Sequence, residues 1–322
     1  MPISEFDLIQ RYFTHPSQRD DVLLGVGDDA ALLQVPPGMT LTLSVDMLVA
    51  GRHFPEDTPA HAIGYKALAV NLSDMAAMGA APAWVSLALS LPEADEGFVS
   101  AFAEGFMGLS REHGVALVGG DTVRGPLCIS VQIHGLLPQG QALRRNGAKV
   151  GDGIFVSGYL GDAAAGLAVV QGRLDCRDED AHYLRQRLDY PSPRVALGLA
   201  LRGIASAAID ISDGLAADLG HILTASGCGA RLQLDALPLS EALRAALPEQ
   251  QQAWDMALHG GDDYELCFTV PEQDCARIEQ GIWPCPVRRI GTIVAEAGLA
   301  FQDQHGQGIA LDSCGFDHFA TR

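Results

Sequence analysis

The acidic side chains of this chain gather where a chain turns or a strand ends. They stand in GVGDDA (Asp28, Asp29), SVDM (Asp46), VGGDT (Asp121), DISDG (Asp210, Asp213) and GGDDYEL (Asp262, Asp263, Glu265). Asp74 differs, lying in NLSDMAAMGA within an otherwise apolar helical pattern, with Asn71 three positions earlier on the same face. An Asp before a helix is often a cap contributing about 1 kcal/mol, and Asp-Gly is a common turn; either use explains any one site. Asp74 is harder to explain so, because a mid-helix carboxylate among apolar neighbours needs a partner when buried. Together, many short carboxylates with no metal-spaced Cys or His suit a hard, oxygen-ligated cation such as Mg²⁺. Should several converge, their mutual repulsion calls for such an ion.

Glycine-rich segments offer candidate phosphate-binding loops. Gly25, Gly27 and Ala30 fit the G-x-G-x-x-A dinucleotide pattern. However, Asp28 and Asp29 would face a pyrophosphate with like charge, and the Pro-broken ALLQVPPG is too short for a crossover helix. No G-x-x-x-x-G-K-[ST] is present, nor a protein-kinase motif set, nor G-x-S-x-G, nor a Cys-His pairing recognisable by spacing. Two glycine turns remain as phosphate contacts: Val118–Thr122, and Gly158–Gly161 before a helix whose N-terminus would attract an anion. Arg144, Arg145 and Lys149 form a basic group suited either to phosphate or to a solvated linker. His53, in AGRHF, is a candidate ligand contact, although a lone His is more often structural.

The elements that must position these groups follow from periodicity. The first half reads as a helix over 4–13, strands near 21–24 and 40–45, a helix over 61–78 and a strand over 84–91. A helix over 93–113 and strands at 115–118 and 128–137 complete it. This order predicts an α+β layer with helices on one side of a mixed sheet. The polar, glycine-rich segment 138–152 marks a boundary, so residues 1–140 and 141–322 are the expected domains. The second is expected to be α/β, with strands at 154–157, 208–211, 230–234, 264–270 and 287–294 among helices. The uncharged stretch 75–92 contains Gly79 and Pro82 and reads as a helix end, a turn and a buried strand rather than a membrane span.

Composition sets outer bounds. The 322 residues include 40 Asp plus Glu against 21 Lys plus Arg, a formal charge of −19, which disfavours nucleic acid as a partner. At 48% hydrophobic the chain can bury real cores, so disorder is not expected. Seven cysteines without a CxxC pair, and a start without a secretory pattern, suggest reduced thiols in a cytoplasmic enzyme.

The ordered set GVGDDAALL, SVDMLVAGRHF, YKALAVNLSDMAAMGA, VGGDTVRGPL, AIDISDGLAADLGHI and GGDDYELCFTV resembles the thiamine-monophosphate kinase family. That family lies in the superfamily of aminoimidazole ribonucleotide synthetase and selenophosphate synthetase, and the resemblance covers nearly the whole chain. It implies ATP-dependent phosphorylation of thiamine phosphate, two α/β domains, a homodimer formed through the N-terminal domains, and several Mg²⁺ ions. By resemblance, the metal ligands are Asp29, Ser44, Asp46, Asp74, Asp121, Asp210 and Asp213, with the Val45 backbone assisting. Nucleotide contacts are Gly120, Asp121, Arg145 and Ser212, and substrate contacts are His53, Asp262 and Phe316. Asp262 stands where the family often has Glu, which shortens its reach, and Phe316 replaces a Tyr. The competing readings are another ATP-dependent synthetase of the superfamily and a non-catalytic cation-binding protein. The absence of a cysteine before Cys128 disfavours selenophosphate synthesis.

Overall fold

The computed structural model describes residues 4–15, 19–303 and 305–309. Two compact units divide it, Met1–Met75 with Ala80–Gly140, and Ala76–Gly79 with Gln141–Arg322.

In the first unit, α1 (Glu5–Leu8) runs into a π-helical turn, Ile9–Phe13, where the periodicity predicted one continuous helix. Then come β1 (Val22–Leu24), β2 (Leu32–Leu33), β3 (Met39–Val49), α2 (Ala60–Ala77), β4 (Ala81–Leu91), α3 (Glu96–Glu112), β5 (Ala116–Arg124) and β6 (Cys128–Pro138). β3 to β6 form a four-stranded sheet of order β3-β6-β4-β5, which is mixed and parallel only between β4 and β5. α3 begins where the Asp95 carboxylate accepts the Gly97 and Phe98 amides at 2.8 and 3.3 Å. The two long helices touch backbone to backbone. A Cβ on Gly64 would lie 2.0 Å from the Phe102 carbonyl oxygen, and one on Gly105 2.1 Å from that of His61.

β5 departs from expectation: Val118–Thr122, read as a glycine turn, lies inside the strand. Gly120 there has φ +152, and an added Cβ would sit 1.8 Å from the Leu87 carbonyl oxygen of β4. Close approach of two strands, rather than turning, is what the glycine permits.

The second unit contains β7 (Gly153–Ser157), α4 (Asp162–Val170), α5 (Asp178–Asp189), α6 (Val195–Ala200), β8 (Ala207–Asp210), α7 (Leu215–Ser226) and β9 (Gly229–Gln233). It continues with α8 (Glu241–Ala246), α9 (Gln250–His259), β10 (Leu266–Val270), α10 (Glu272–Gln280), β11 (Val287–Val294), β12 (Gly298–Gln302) and β13 (Gly308–Ile309). Its seven strands form one sheet, β13-β12-β9-β11-β7-β10-β8. β7 and β10 have every residue buried, as central strands covered on both faces require. Ile154 and Val156 of β7 and Cys267 of β10 join Leu219 and Ile222 of α7 and Leu232 of β9 in one core. Among the described residues, no helix is long and apolar enough to cross a membrane.

Candidate active site

Strand pleating sorts the β3 side chains. Thr42, Ser44, Asp46 and Leu48 alternate with Leu41, Leu43, Val45 and Met47, which are 46–59% exposed. The first set faces α2: the Ser44 hydroxyl donates to Asp74 Oδ2, and Thr42 Oγ1 contacts Met75 Sδ at 3.5 Å. The mid-helix Asp74 therefore has a hydroxyl partner, and Asp46 lies two residues along the same strand face. Asn71, one turn before it, is fully buried, and its Nδ2 donates to the Ala67 carbonyl at 3.0 Å.

Other first-unit candidates stand apart. Asp29 is exposed, and its amide donates to Asp28 Oδ1 at 2.8 Å. Asp121 is exposed on β5, while Asp46 is on β3, so the two occupy opposite edges of the sheet, about 14 Å apart at three strand spacings. His53 turns back on its own loop, where Nδ1 accepts the Val49 amide at 3.0 Å.

In the second unit, two loops distant in sequence are joined. β8 ends at Asp210, and β10 is preceded by Asp262–Glu265. Between them the Asp262 amide donates to the Ser212 carbonyl at 2.9 Å, Tyr264 to Ile211 at 2.8 Å, and Ile211 to Glu265 at 2.8 Å. These bonds bring Asp210, Ser212, Asp213 and Asp262 together. The Ser212 and Asp213 amides both donate to Asp218 Oδ2 at 3.0 Å, closing the loop onto the first turn of α7. Burial pushes the Asp218 carboxyl up to about 7 against these two bonds, with the Arg145 charge pulling it down. Arg145 thus belongs to this neighbourhood, and its carbonyl accepts the Ser226 hydroxyl at 3.0 Å.

Tyr264 was expected to open a strand. Instead Asp262 (φ 68) and Tyr264 (φ 50) are left-handed, the two non-glycine residues with positive φ among those described. The Tyr264 hydroxyl donates to Asp262 Oδ1 at 3.0 Å. The two acids beside them serve the fold. Asp263 accepts the Gly161 amide at 2.8 Å, so the helix start proposed for an external phosphate already holds a carboxyl group of the chain. Burial raises Asp263 well above the usual carboxylate range, and raises Asp162 on α4 as well. Glu265, fully buried, accepts Ser157 Oγ at 2.6 Å, Arg194 at 2.5 and 2.6 Å, and Arg187 at 3.1 Å.

The sequence reading missed Asp218, Arg187 and Arg194. Asp218 carried a faint signal, five residues after Asp213 in the first helical turn; the arginines carried none, since they meet Glu265 from 78 and 71 residues away. Phe316 lies outside the described residues. Among the described residues, no three His, Cys, Asp or Glu side chains form a group able to hold a metal ion.

Both halves match family models: the AIR synthase related protein N-terminal domain over 27–137 and its C-terminal domain over 149–304. Two mixed α/β units carrying these matches define the class as an AIR synthase related protein. The thiamine-monophosphate kinase of Salmonella typhimurium LT2 is 53% identical over 326 residues, spanning 100% of each chain. The crystal structure of the thiamine-monophosphate kinase from Stenotrophomonas maltophilia K279a is 51% identical, covers 88% of this chain and 92% of its own, and superposes with a TM-score of 0.83. AaThiL complexed with AMPPCP and TMP is 31% identical, with 91% and 92% coverage and a TM-score of 0.79. The chain belongs to the thiamine-monophosphate kinase family.

Proposed function

We propose that this chain transfers the terminal phosphoryl group of ATP directly to the phosphate of thiamine phosphate, forming thiamine diphosphate and ADP. The observation that carries this reading is the full-length similarity to thiamine-monophosphate kinases, supported by a neighbour holding AMPPCP, an ATP analogue, together with TMP. The acceptor oxygen is already ionised near neutral pH, so no strong general base is needed, and positioning with charge neutralisation suffices.

For the cation we assign Mg²⁺ to Asp29, Ser44, Asp46, Asp74, Asp121, Asp210 and Asp213, with the Val45 backbone. The donor chemistry fits: Ser44 and Asp46 on one face of β3 and Asp74 on the facing helix α2 offer hard oxygens, and Asp210 and Asp213 stand at one loop. When bound, Mg²⁺ neutralises charge between two polyanions and orients them in line. Gly120, Asp121, Arg145 and Ser212 would contact the nucleotide. His53, Asp262 and Phe316 would contact thiamine phosphate, the shorter Asp262 requiring closer approach than a Glu.

A homodimer fits the exposed apolar row Leu41, Leu43, Val45 and Met47 on β3, and a cytoplasmic location fits the reduced cysteines. On this reading residues 1–140 form a metal- and ATP-binding and dimerisation domain, and residues 141–322 a C-terminal α/β domain. Purified chain given ATP, thiamine phosphate and Mg²⁺ should form thiamine diphosphate, detected by chromatography, and chelation by EDTA should stop it. Failure to form product with Mg²⁺ present would sink the assignment.

A further inference from the structure

We infer that Tyr264 is a positioning residue for substrate recognition: its hydroxyl holds the Asp262 carboxylate in the orientation that receives thiamine phosphate. This inference rests on the proposed Asp262–substrate contact and deepens it.

The geometry is costly and therefore informative. Left-handed backbone at a non-glycine residue is strained, and such strain persists where the surroundings over-determine it. Asp262 and Tyr264 both adopt it, one residue apart. Their amides are pinned to the Ser212 and Ile211 carbonyls. Between them Asp263 is tied to Gly161, and after them Glu265 is clamped by two arginines and Ser157. Gly158 (φ 58) has no room for a side chain, because a Cβ there would lie 2.1 Å from Glu265 Oε1.

Asp263 and Glu265 in this clamped turn are buried. Asp262 is half-buried, and Tyr264, 9% exposed, reaches back to it with its hydroxyl. The phenol binds Oδ1 and so restricts rotation of the Asp262 carboxylate. A carboxylate one methylene shorter than Glu has little freedom to correct its aim, so a fixed orientation has greater value here.

The test is a double-mutant cycle on the full chain, reading thiamine phosphate binding by calorimetry with the KM for each substrate and kcat. Tyr264→Phe should weaken thiamine phosphate binding about ten- to a hundredfold, the range for loss of one hydrogen bond to a charged group. Its KM for ATP, kcat and thermal midpoint should stay near wild type. Asp262→Asn should weaken binding more, and Tyr264→Phe on that background should add little, because the phenol acts through Asp262. Wild-type affinity in Tyr264→Phe, additive losses in the double variant, or an equal rise in the KM for ATP would each overturn the inference while leaving the kinase assignment standing. A wild-type chain that does not bind thiamine phosphate would overturn the proposed function and this inference with it.

Discussion

At the scale of single residues, the useful distinction is between carboxylates available for chemistry and carboxylates consumed by the fold. Asp74 accepts the neutral Ser44 hydroxyl, and Asp46 lies on the same face of β3 as Ser44. Glu265 instead balances two guanidinium groups in the interior. Asp46→Asn and Asp74→Asn should therefore lower kcat at least about a hundredfold, in line with loss of a metal-organised charge interaction, while circular dichroism and thermal midpoint stay native. Wild-type rates in either variant would remove it from the ligand set. Glu265→Gln should behave oppositely. It leaves two arginines without their counter-charge, so the chain should lose about 3–5 kcal/mol of stability, the range for breaking a buried pair, measured by denaturant unfolding.

Secondary-structure elements impose their own constraints. α2 and α3 cross so closely that glycine is required at the contact, and Gly105→Ala should cost about 1–3 kcal/mol as overpacking. A thermal midpoint unchanged in Gly105→Ala would show that the helices can separate freely. The start of α4 carries a pH dependence. Asp162 and Asp263 are both raised, chiefly by burial, so the folded chain keeps protons that the unfolded chain releases near its ordinary carboxyl pKa. The stability they contribute is complete below that ordinary value and is lost as pH rises through the folded values. Thermal midpoints should fall from acidic toward neutral pH, and Asp263→Asn, which keeps an oxygen for the Gly161 amide, should flatten the fall. An identical slope in Asp263→Asn would assign the dependence to other groups. Elements also show where local reading failed. VGGDT has turn composition yet runs as strand, because β4 passes too close for any side chain at Gly120. Tyr264 has strand composition yet is left-handed, because backbone bonds to Ile211 and Ser212 hold the chain there.

For the molecule as a whole, the exposed apolar row on β3 is the feature that a lone chain leaves unexplained. On the proposed homodimer, Leu43→Lys should shift the mass measured by light scattering toward the monomer; an unchanged mass would place the dimer contact elsewhere. By itself the sequence determined the alternation of β3, the long apolar helix that carries Asp74, the acidic and glycine-rich strand ends, and the family pattern they compose. These rest on periods of two and 3.6 residues or on short-range order, which a linear chain displays directly. Tertiary structure alone decided the fate of each carboxylate: Asp74 beside Ser44, Asp218 under the Ser212 and Asp213 amides, Asp263 at α4 and Glu265 between arginines. It also set Asp46 and Asp121 on opposite edges of one sheet. Except for Asp218, these placements depend on which distant strands and helices become neighbours. The pattern of side chains along a segment records which face is buried, but not the partner that buries it.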